Sequence, residues 1–394
     1  MSEQMLSDGL AQTTLHPLGI RVSHANGSRI TLENGKEIID FISGIGASSF
    51  GHGHSSIVNA IHKQVDKHLH VMVYGEIRQS AQDLAAHRLL GMLPDSLSAV
   101  YFVNSGAEAI DAAMKLTRRV TKRTKIIAFT GGYHGNTFGA LSVSSSVERK
   151  APFAPLVGDV ELIEWNEMDG LRAIDASVAA VIVETIQGDA GIRIPDASWM
   201  RALREKCTQV GAHLILDEIQ CGFGRTGRPF AFEHFGIVPD HLCLGKALGG
   251  GMPMGALVSK KAHLQQFAHS PSLGHITTFG GHPIPCAASA EASKLLKNTN
   301  WARVEQVGAI IEKTLKASEQ VREVRRIGLF IAVEMASSEV VNQVVQSALE
   351  QGVLIFYFLS TPNAFRIAPP LNISDTDLHE ALDTLLACLE QVNI

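Results

Sequence analysis

The sequence predicts an α/β fold. A large domain carries a mostly parallel, seven-stranded sheet covered by helices, and a smaller α+β domain joins it. Three observations lead there. Seven short apolar runs recur between residues 99 and 259 with few polar alternations, the pattern of strands buried on both faces. Helical patterns lie between several of them, such as 197–210, and that alternation favours a parallel sheet covered on both sides. From about residue 284 the pattern changes to long helical stretches among scattered strands.

In chain order, "SRITLENGKEIIDF" reads as strand, turn and strand, with "ENG" as the hairpin signal. Residues 57–70 and 78–92 read as helices. The runs "AVYFV" (99–103), "KIIAF" (125–129), "VELIE" (160–164), "VAAVIVE" (178–184), "HLILD" (213–217), "HLCL" (241–244) and "GALVS" (255–259) read as the sheet, with a helix after the first through Val120. One long helical stretch covers 284–318. "GLFIAVEM", "GVLIF" and "FRIAP" then read as strands, and "SDTDLHEALDTLLACLEQV" as a closing helix. Ser374 is its expected N-cap, and Leu378, Leu382, Leu385 and Leu389 its apolar stripe. The expected division is 57–283 for the large domain and 284–394 for the small one, with residues 1–56 packing against the latter.

Composition narrows the function classes. The 394 residues are 45% hydrophobic and 19% charged, with a net charge of -5, an ordinary globular balance. No Lys/Arg-rich tract appears, so nucleic acid is not an expected partner. No apolar run approaches the roughly 18 residues that span a bilayer, so no membrane role is expected. The opening "MSEQMLSDGLAQTT" lacks the pattern of a signal peptide. Five scattered cysteines without a CxxC read as reduced thiols, and the expected location is the cytoplasm. Histidines number 17, but neither "GHGH" (His52, His54) nor "HLH" (His68, His70) has a third ligand at a recognisable spacing. No metal site is expected.

The unusual features fall at strand ends, where ligands bind in open α/β sheets. "AVYFV" runs into Asn104-Ser-Gly-Ala-Glu and opens a helix. Ser105 and Glu108 fit a capping box, and the same Gly-bearing N-terminus also suits a phosphate. "KIIAF" ends in Thr130-Gly-Gly-Tyr-His-Gly-Asn136, glycines beside an aromatic ring. "VAAVIVE" closes on the carboxylate of Glu184, and "LILDEIQ" places Asp217 at the end of a buried strand, where a carboxylate needs a partner. In "HLCLGKALGGGMPMGA", Lys246 is the only charge; an amine held among apolar groups is a candidate nucleophile. A phosphate cradle, an aromatic platform, a buried Asp and a desolvated Lys are together what a pyridoxal 5'-phosphate site needs. Lys246 would form the Schiff base and Asp217 would pair with the pyridine nitrogen.

These residues resemble the class III pyridoxal-phosphate aminotransferases of fold type I, the group containing ornithine, acetylornithine, 4-aminobutyrate and diaminopelargonate transaminases. The resemblance spans nearly the whole chain, through "NSGAEAIDAAMKL", "GGYHGNT", "ETIQGDAG", "LILDEIQCGFGRTG", "LGKALGGGMPMGA" and "TTFGGHP" in family order. It implies that Lys246 carries the cofactor and shuttles the proton. Tyr133 would stack on the ring, Ile219 would pack on its other face, and Gln220 would reach the ring hydroxyl. Ser105, Gly106 and Ala107 would hold the phosphate. Thr278 would reach the phosphate in a neighbouring subunit, which implies an obligate homodimer. Arg366 would clamp a substrate carboxylate through its bidentate fork.

Four departures bear on the substrate. Asn136 stands where many relatives have an arginine for a second carboxylate; the diaminopelargonate enzymes also lack that arginine. Asp189 replaces the commoner glutamate that pairs with the substrate arginine, one methylene shorter. His282 replaces a commoner asparagine. Ile45 replaces the tyrosine of ornithine enzymes and implies a less polar donor pocket. The expected activity is ping-pong transamination between an acetylornithine- or ornithine-like donor and a keto acid. The alternatives are a diaminopelargonate-type transaminase, or racemisation or aminomutation on the same scaffold.

Overall fold

The computed structural model describes residues 9–392; the first eight residues, part of the opening read above against a signal peptide, and the last two lie outside that range. Three strands open the fold: β1 (Val22–Asn26), β2 (Arg29–Leu32) and β3 (Glu37–Asp40). The large sheet follows with β4 (Ala99–Val103), β5 (Lys125–Phe129), β6 (Val160–Ile163), β7 (Val178–Glu184), β8 (His213–Asp217), β9 (His241–Leu244) and β10 (Gly255–Ser259). The C-terminal part adds β11 (Glu323–Ile327), β12 (Phe330–Glu334), β13 (Val353–Leu354), β14 (Phe356–Tyr357) and β15 (Ala364–Ile367).

All seven expected runs form one sheet in the order β4-β10-β9-β8-β7-β5-β6. Six of its strands point the same way, five of them, β6, β5, β7, β8 and β9, as consecutive parallel neighbours. β10 runs antiparallel to both β9 and β4. Its reversal follows from chain length: only a single 3-10 turn, Lys246–Gly249, lies between β9 and β10, too little for a parallel crossover. β7 is buried at every residue. Each aliphatic side chain so buried contributes about 1.5–3 kcal/mol. Ile182, Leu214, Ile215 and Leu216 are fully buried and hold β7 and β8 in the centre of the core.

The N-terminal strands take β13 as a parallel neighbour, Val353 beside Ile39 and Leu354 beside Asp40, so the two ends of the chain share one sheet. A second four-stranded sheet has the order β11-β12-β15-β14. "GVLIF" therefore splits between two sheets. Arg225, fully buried, ties three regions: its guanidinium donates to the carbonyls of Leu329 and Pro369 and to Ser49 Oγ. The expected single stretch 284–318 is two helices, Pro283–Lys297 and Trp301–Lys316. Asn300 starts the second by accepting a hydrogen bond from the Arg303 amide, an N-cap that interrupts the run. The expected helices of 57–70 and 78–92 lie at Ser55–Val65 and Ser80–Leu90. The closing helix is Asp375–Glu390, capped by Ser374 with its leucine stripe buried. No helix among the described residues is long and apolar enough to cross a membrane.

Candidate active site

Strand register brings the site together. Glu184 at the end of β7 lies beside Asp217 at the end of β8, and Asp217 lies beside Cys243 of β9, two residues before Gly245 and three before Lys246. Successive residues of a strand point to opposite faces, and "DE" uses both. Glu218 turns away from the cofactor side and accepts from the amides of Ala231 and Phe232 and from Thr185 Oγ1. Asp217 faces a cavity of about 240 Å³ lined by Gly106, Ala107, Tyr133, His134, Gly135, Asn136, Glu184, Asp217, Ile219, Gln220 and Lys246.

Asp217 is held from two sides. Its Oδ1 accepts from the Ile219 amide at 3.0 Å, and its Oδ2 lies 2.7 Å from Nδ1 of His134. Both side chains are buried. A buried carboxylate is tolerable when charged or polar donors surround it. His134 was not anticipated from the sequence, where it is one letter in a glycine-rich turn. Glu184 accepts from the Tyr133 amide (3.0 Å) and the Gly188 amide (2.9 Å), so it holds the ring-bearing loop rather than projecting freely. Burial pushes its carboxyl up to about 7, with the nearby Asp217 charge adding to the rise.

Lys246 is half-buried on the 3-10 turn Lys246–Gly249, in the left-handed region at φ 45°. That conformation is rare for a residue with a side chain and marks stored strain. Burial lowers the pKa of its amine, which favours the neutral, nucleophilic form. Burial raises the Tyr133 phenol.

The helix Gly106–Thr121 begins at the end of β4. Ser105 Oγ accepts from the Glu108 amide, and the Glu108 carboxylate accepts from the Asn104 amide. Ser105 thus makes its half of the expected capping box, while Glu108 reaches one residue further back, to Asn104 rather than to the Ser105 amide. This leaves the amides of the first turn for an anion. The floor of the cavity is backbone. A Cβ on Gly106 would stand 2.7 Å from Ile219 Cδ1, and one on Gly135, at φ +126°, would stand 2.7 Å from Ala107 Cβ. Such a cradle, with an acidic strand end, an aromatic ring and a desolvated lysine, fits pyridoxal phosphate. Gly106 and Ala107 would hold the phosphate, Asp217 the pyridine nitrogen and Lys246 the aldehyde carbon.

Other expected residues lie outside the cavity lining. Arg366 Nη2 pairs with Asp189 Oδ1 at 3.0 Å, and both are buried. Asp189 also accepts from the Leu359 amide (2.9 Å) and Ser360 Oγ (2.7 Å). Arg366 Nε donates to the Tyr357 carbonyl, and its guanidinium lies 4.4 Å over the Phe358 ring. The shorter Asp189 thus spans the gap to the arginine. Ile45 is half-buried between Gly44 and Gly46, all three at positive φ. Left-handed backbone is an outlier for a β-branched residue. Thr278 is exposed. His282, unexplained in the sequence, caps Pro283–Lys297: its Nδ1 accepts from the Ile284 amide at 3.2 Å.

Comparison with known proteins agrees with this geometry. The family model described as "Aminotransferase class-III" matches residues 10–389. The chain is 38% identical to the acetylornithine aminotransferase of Methanopyrus kandleri, covering 99% of each chain. It is 34% identical to a [LysW]-aminoadipate semialdehyde/glutamate semialdehyde transaminase of Sulfurisphaera tokodaii, over 92% of this chain and 93% of the other. The ornithine aminotransferase of Toxoplasma gondii superposes with a TM-score of 0.90 at 30% identity, covering 97% of this chain and 92% of that one. This chain is a member of the class III aminotransferases, pyridoxal-phosphate enzymes of fold type I that move an amino group to a keto acid.

Proposed function

We propose that the donor is N-acetylornithine-like: an aliphatic ω-amine carrying a carboxylate and a polar end group. The observation that carries this is the second cavity beside the first. It measures about 510 Å³ and is lined by Asn136, Phe138, Leu141, Arg149, Pro152 and Phe153. Asn136 borders both spaces. An apolar channel with one amide and one guanidinium suits a carbon chain ending in polar groups. The names of the relatives support the same donor class.

In this reading the chain's residues divide the work. Bound in the site, the cofactor supplies a carbonyl to take the amine and a ring to withdraw electrons. Lys246 Nζ takes the proton from the donor carbon and returns it nearby, within reach because the base sits in the same cavity. Asp217, oriented by His134, keeps the ring nitrogen protonated. Tyr133 and Ile219 would hold the ring between them, and Gln220 would take its hydroxyl. Arg366 releases Asp189 and takes the carboxylate of the keto acid; Asp189 reclaims it when the substrate has none there.

A dimer completes the proposal. Leu273, Ile276 and Phe279 are exposed beside Thr278, and Val71 and Met72 are exposed near His70, whose ring touches Phe279 at 4.9 Å. Such a patch is the kind that a second copy covers, bringing Thr278 to the partner's phosphate. The buried, free cysteines fit a reducing cytoplasm. The division at residues 57 and 284 belongs to the same reading.

The test adds single amino donors to purified enzyme without keto acid and follows the cofactor's visible absorption. The panel is N-acetylornithine, ornithine, glutamate, 4-aminobutyrate, lysine, alanine and diaminopelargonate. Conversion to the pyridoxamine form by N-acetylornithine at a kcat/KM well above that of the others supports the reading. Conversion by diaminopelargonate instead overturns it in favour of that relative.

A further inference from the structure

Three imidazoles meet at the opposite end of the large sheet's central strands from the cofactor site. His213 opens β8, His241 opens β9, and His263 lies on the short helix Lys261–Leu264 that follows β10. In the sequence they are 28 and 22 residues apart (241 − 213 and 263 − 241), with no ligand spacing to connect them, and no metal site was expected. The fold brings the three together, because β8, β9 and β10 are neighbours. One nitrogen from each ring lies within 4.8 Å of the others. His213 Nδ1 already stands 2.8 Å from His241 Nε2, and the His213 and His263 rings stack at 4.9 Å.

A hydrogen-bonded histidine pair accounts for only part of this. His241 is wholly buried, and its one hydrogen bond goes to another imidazole. The Nδ1 of His263 is buried with no hydrogen-bond partner among the described residues. Leaving such a group unmatched costs about 1–3 kcal/mol. Three converging histidines are therefore an expensive way to fill this end of the sheet with polar side chains, unless they bind something.

We propose that His213, His241 and His263 form a binding site for one divalent transition-metal cation of the zinc class. Zinc binds imidazole nitrogen at about 2.0–2.1 Å, so tetrahedral neighbours stand about 3.4 Å apart. The His213–His241 pair opens by about half an ångström to reach that spacing, and His263 closes in. His263 is placed to move, being half-buried on a single turn. The fourth position is left for water. The neutral imidazole is the ligating form, and burial favours it in all three rings, most in His241, which it brings down to about 3. Of the charges facing the cluster, Asp240 opposes that shift, while Arg204, Arg123 and Lys260 reinforce it. The Asp240 carboxylate is held by Arg204 at 2.7 Å and by the Leu214 amide at 2.8 Å. It stays behind the ligands as a compensating negative charge.

His213 lies four residues before Asp217, about 13 Å along the strand at about 3.3 Å per residue. A cation here therefore staples β8, β9 and the segment after β10 without touching the reaction.

The test uses holoenzyme dialysed against a chelator, then titrated with Zn²⁺ in competition with a chromophoric chelator, and in parallel with Co²⁺ followed by its visible bands. Because wholly buried His241 risks misfolding when replaced, the variants are His263→Ala and His213→Asn. The expected result is one tight zinc per chain, four-coordinate cobalt bands and a raised Tm with zinc. Each variant is expected to weaken zinc at least about tenfold, a loss of the order that disturbed ligand shells produce, with transamination unchanged. Absence of tight binding in the wild type overturns the proposal. So does binding that survives in both variants, which would assign the zinc to the cofactor or to surface histidines.

Discussion

Replacing His134 by alanine tests how Asp217 is held. The His134 ring is the only side chain that meets the Asp217 carboxylate among the hydrogen bonds described, at 2.7 Å to Oδ2, and both groups are buried. Water does not readily substitute there, so the whole charge-assisted bond is lost. Hydrogen bonds to charged groups contribute about 1.5–3 kcal/mol. At about 1.4 kcal/mol per tenfold, the loss is about 10- to 150-fold. We expect it in cofactor affinity and in kcat, because in the proposed reading Asp217 would hold the pyridinium before and during the reaction. Cofactor affinity is read from quenching of intrinsic fluorescence, and kcat from coupled assay with saturating cofactor. His134→Gln, which retains an N–H donor, is expected to recover part of both. Values for His134→Ala within twofold of wild type in both measurements would refute the argument that this ring positions Asp217.

Other expected outcomes follow from the same structure. Asp189→Ala leaves the Arg366 guanidinium buried without its counter-ion and is expected to cost about 3–5 kcal/mol in urea unfolding; a cost below about 1 kcal/mol would show that the pair does not hold the site. Gly255→Ala places a Cβ 2.1 Å from the Ser105 carbonyl oxygen. It should push β10 from β4 and weaken cofactor binding more than tenfold at unchanged secondary structure by circular dichroism. Burial raises the Glu184 and Glu218 carboxyls from 4.5 to about 7, so the folded chain binds these protons more tightly than the unfolded chain. Stability of the cofactor-free protein should therefore fall as pH rises from about 4.5 to 7 and then level off. A Tm that rises steadily across that window would contradict the assignment. Ser374→Ala removes the cap of the closing helix and is expected to cost about 1 kcal/mol, measured as a shift in urea midpoint.

The large sheet was legible because its strands are buried on both faces, and continuous apolar runs such as "VAAVIVE" and "HLILD" record that directly. β11, "EVRRI", was not, because an edge strand with two half-buried arginines carries no apolar run. The helix break at 298–300 hid within an unbroken pattern, and only Asn300 signalled it. Asp217, Lys246 and the glycine cradle stood out because each is costly where the sequence places it. His134 did not. Its role depends on a contact across 83 residues, made by two strand ends that only the sheet order brings together. The same holds for the three histidines at the far end of the strands. The Asp189–Arg366 pair is implied by the resemblance, but the reach of the shorter side chain depends on how the fold sets the two backbones apart. His282 needed the helix it caps.

The account rests on Lys246 as the residue that carries the cofactor. The direct measurement is borohydride reduction of the purified holoenzyme, followed by proteolysis and mass spectrometry of the peptides. The account predicts one phosphopyridoxyl group per chain, on Lys246 alone, and none when the enzyme is first converted by its amino donor. A label on any other lysine, or a chain that binds the cofactor yet yields no reduced adduct, would contradict it.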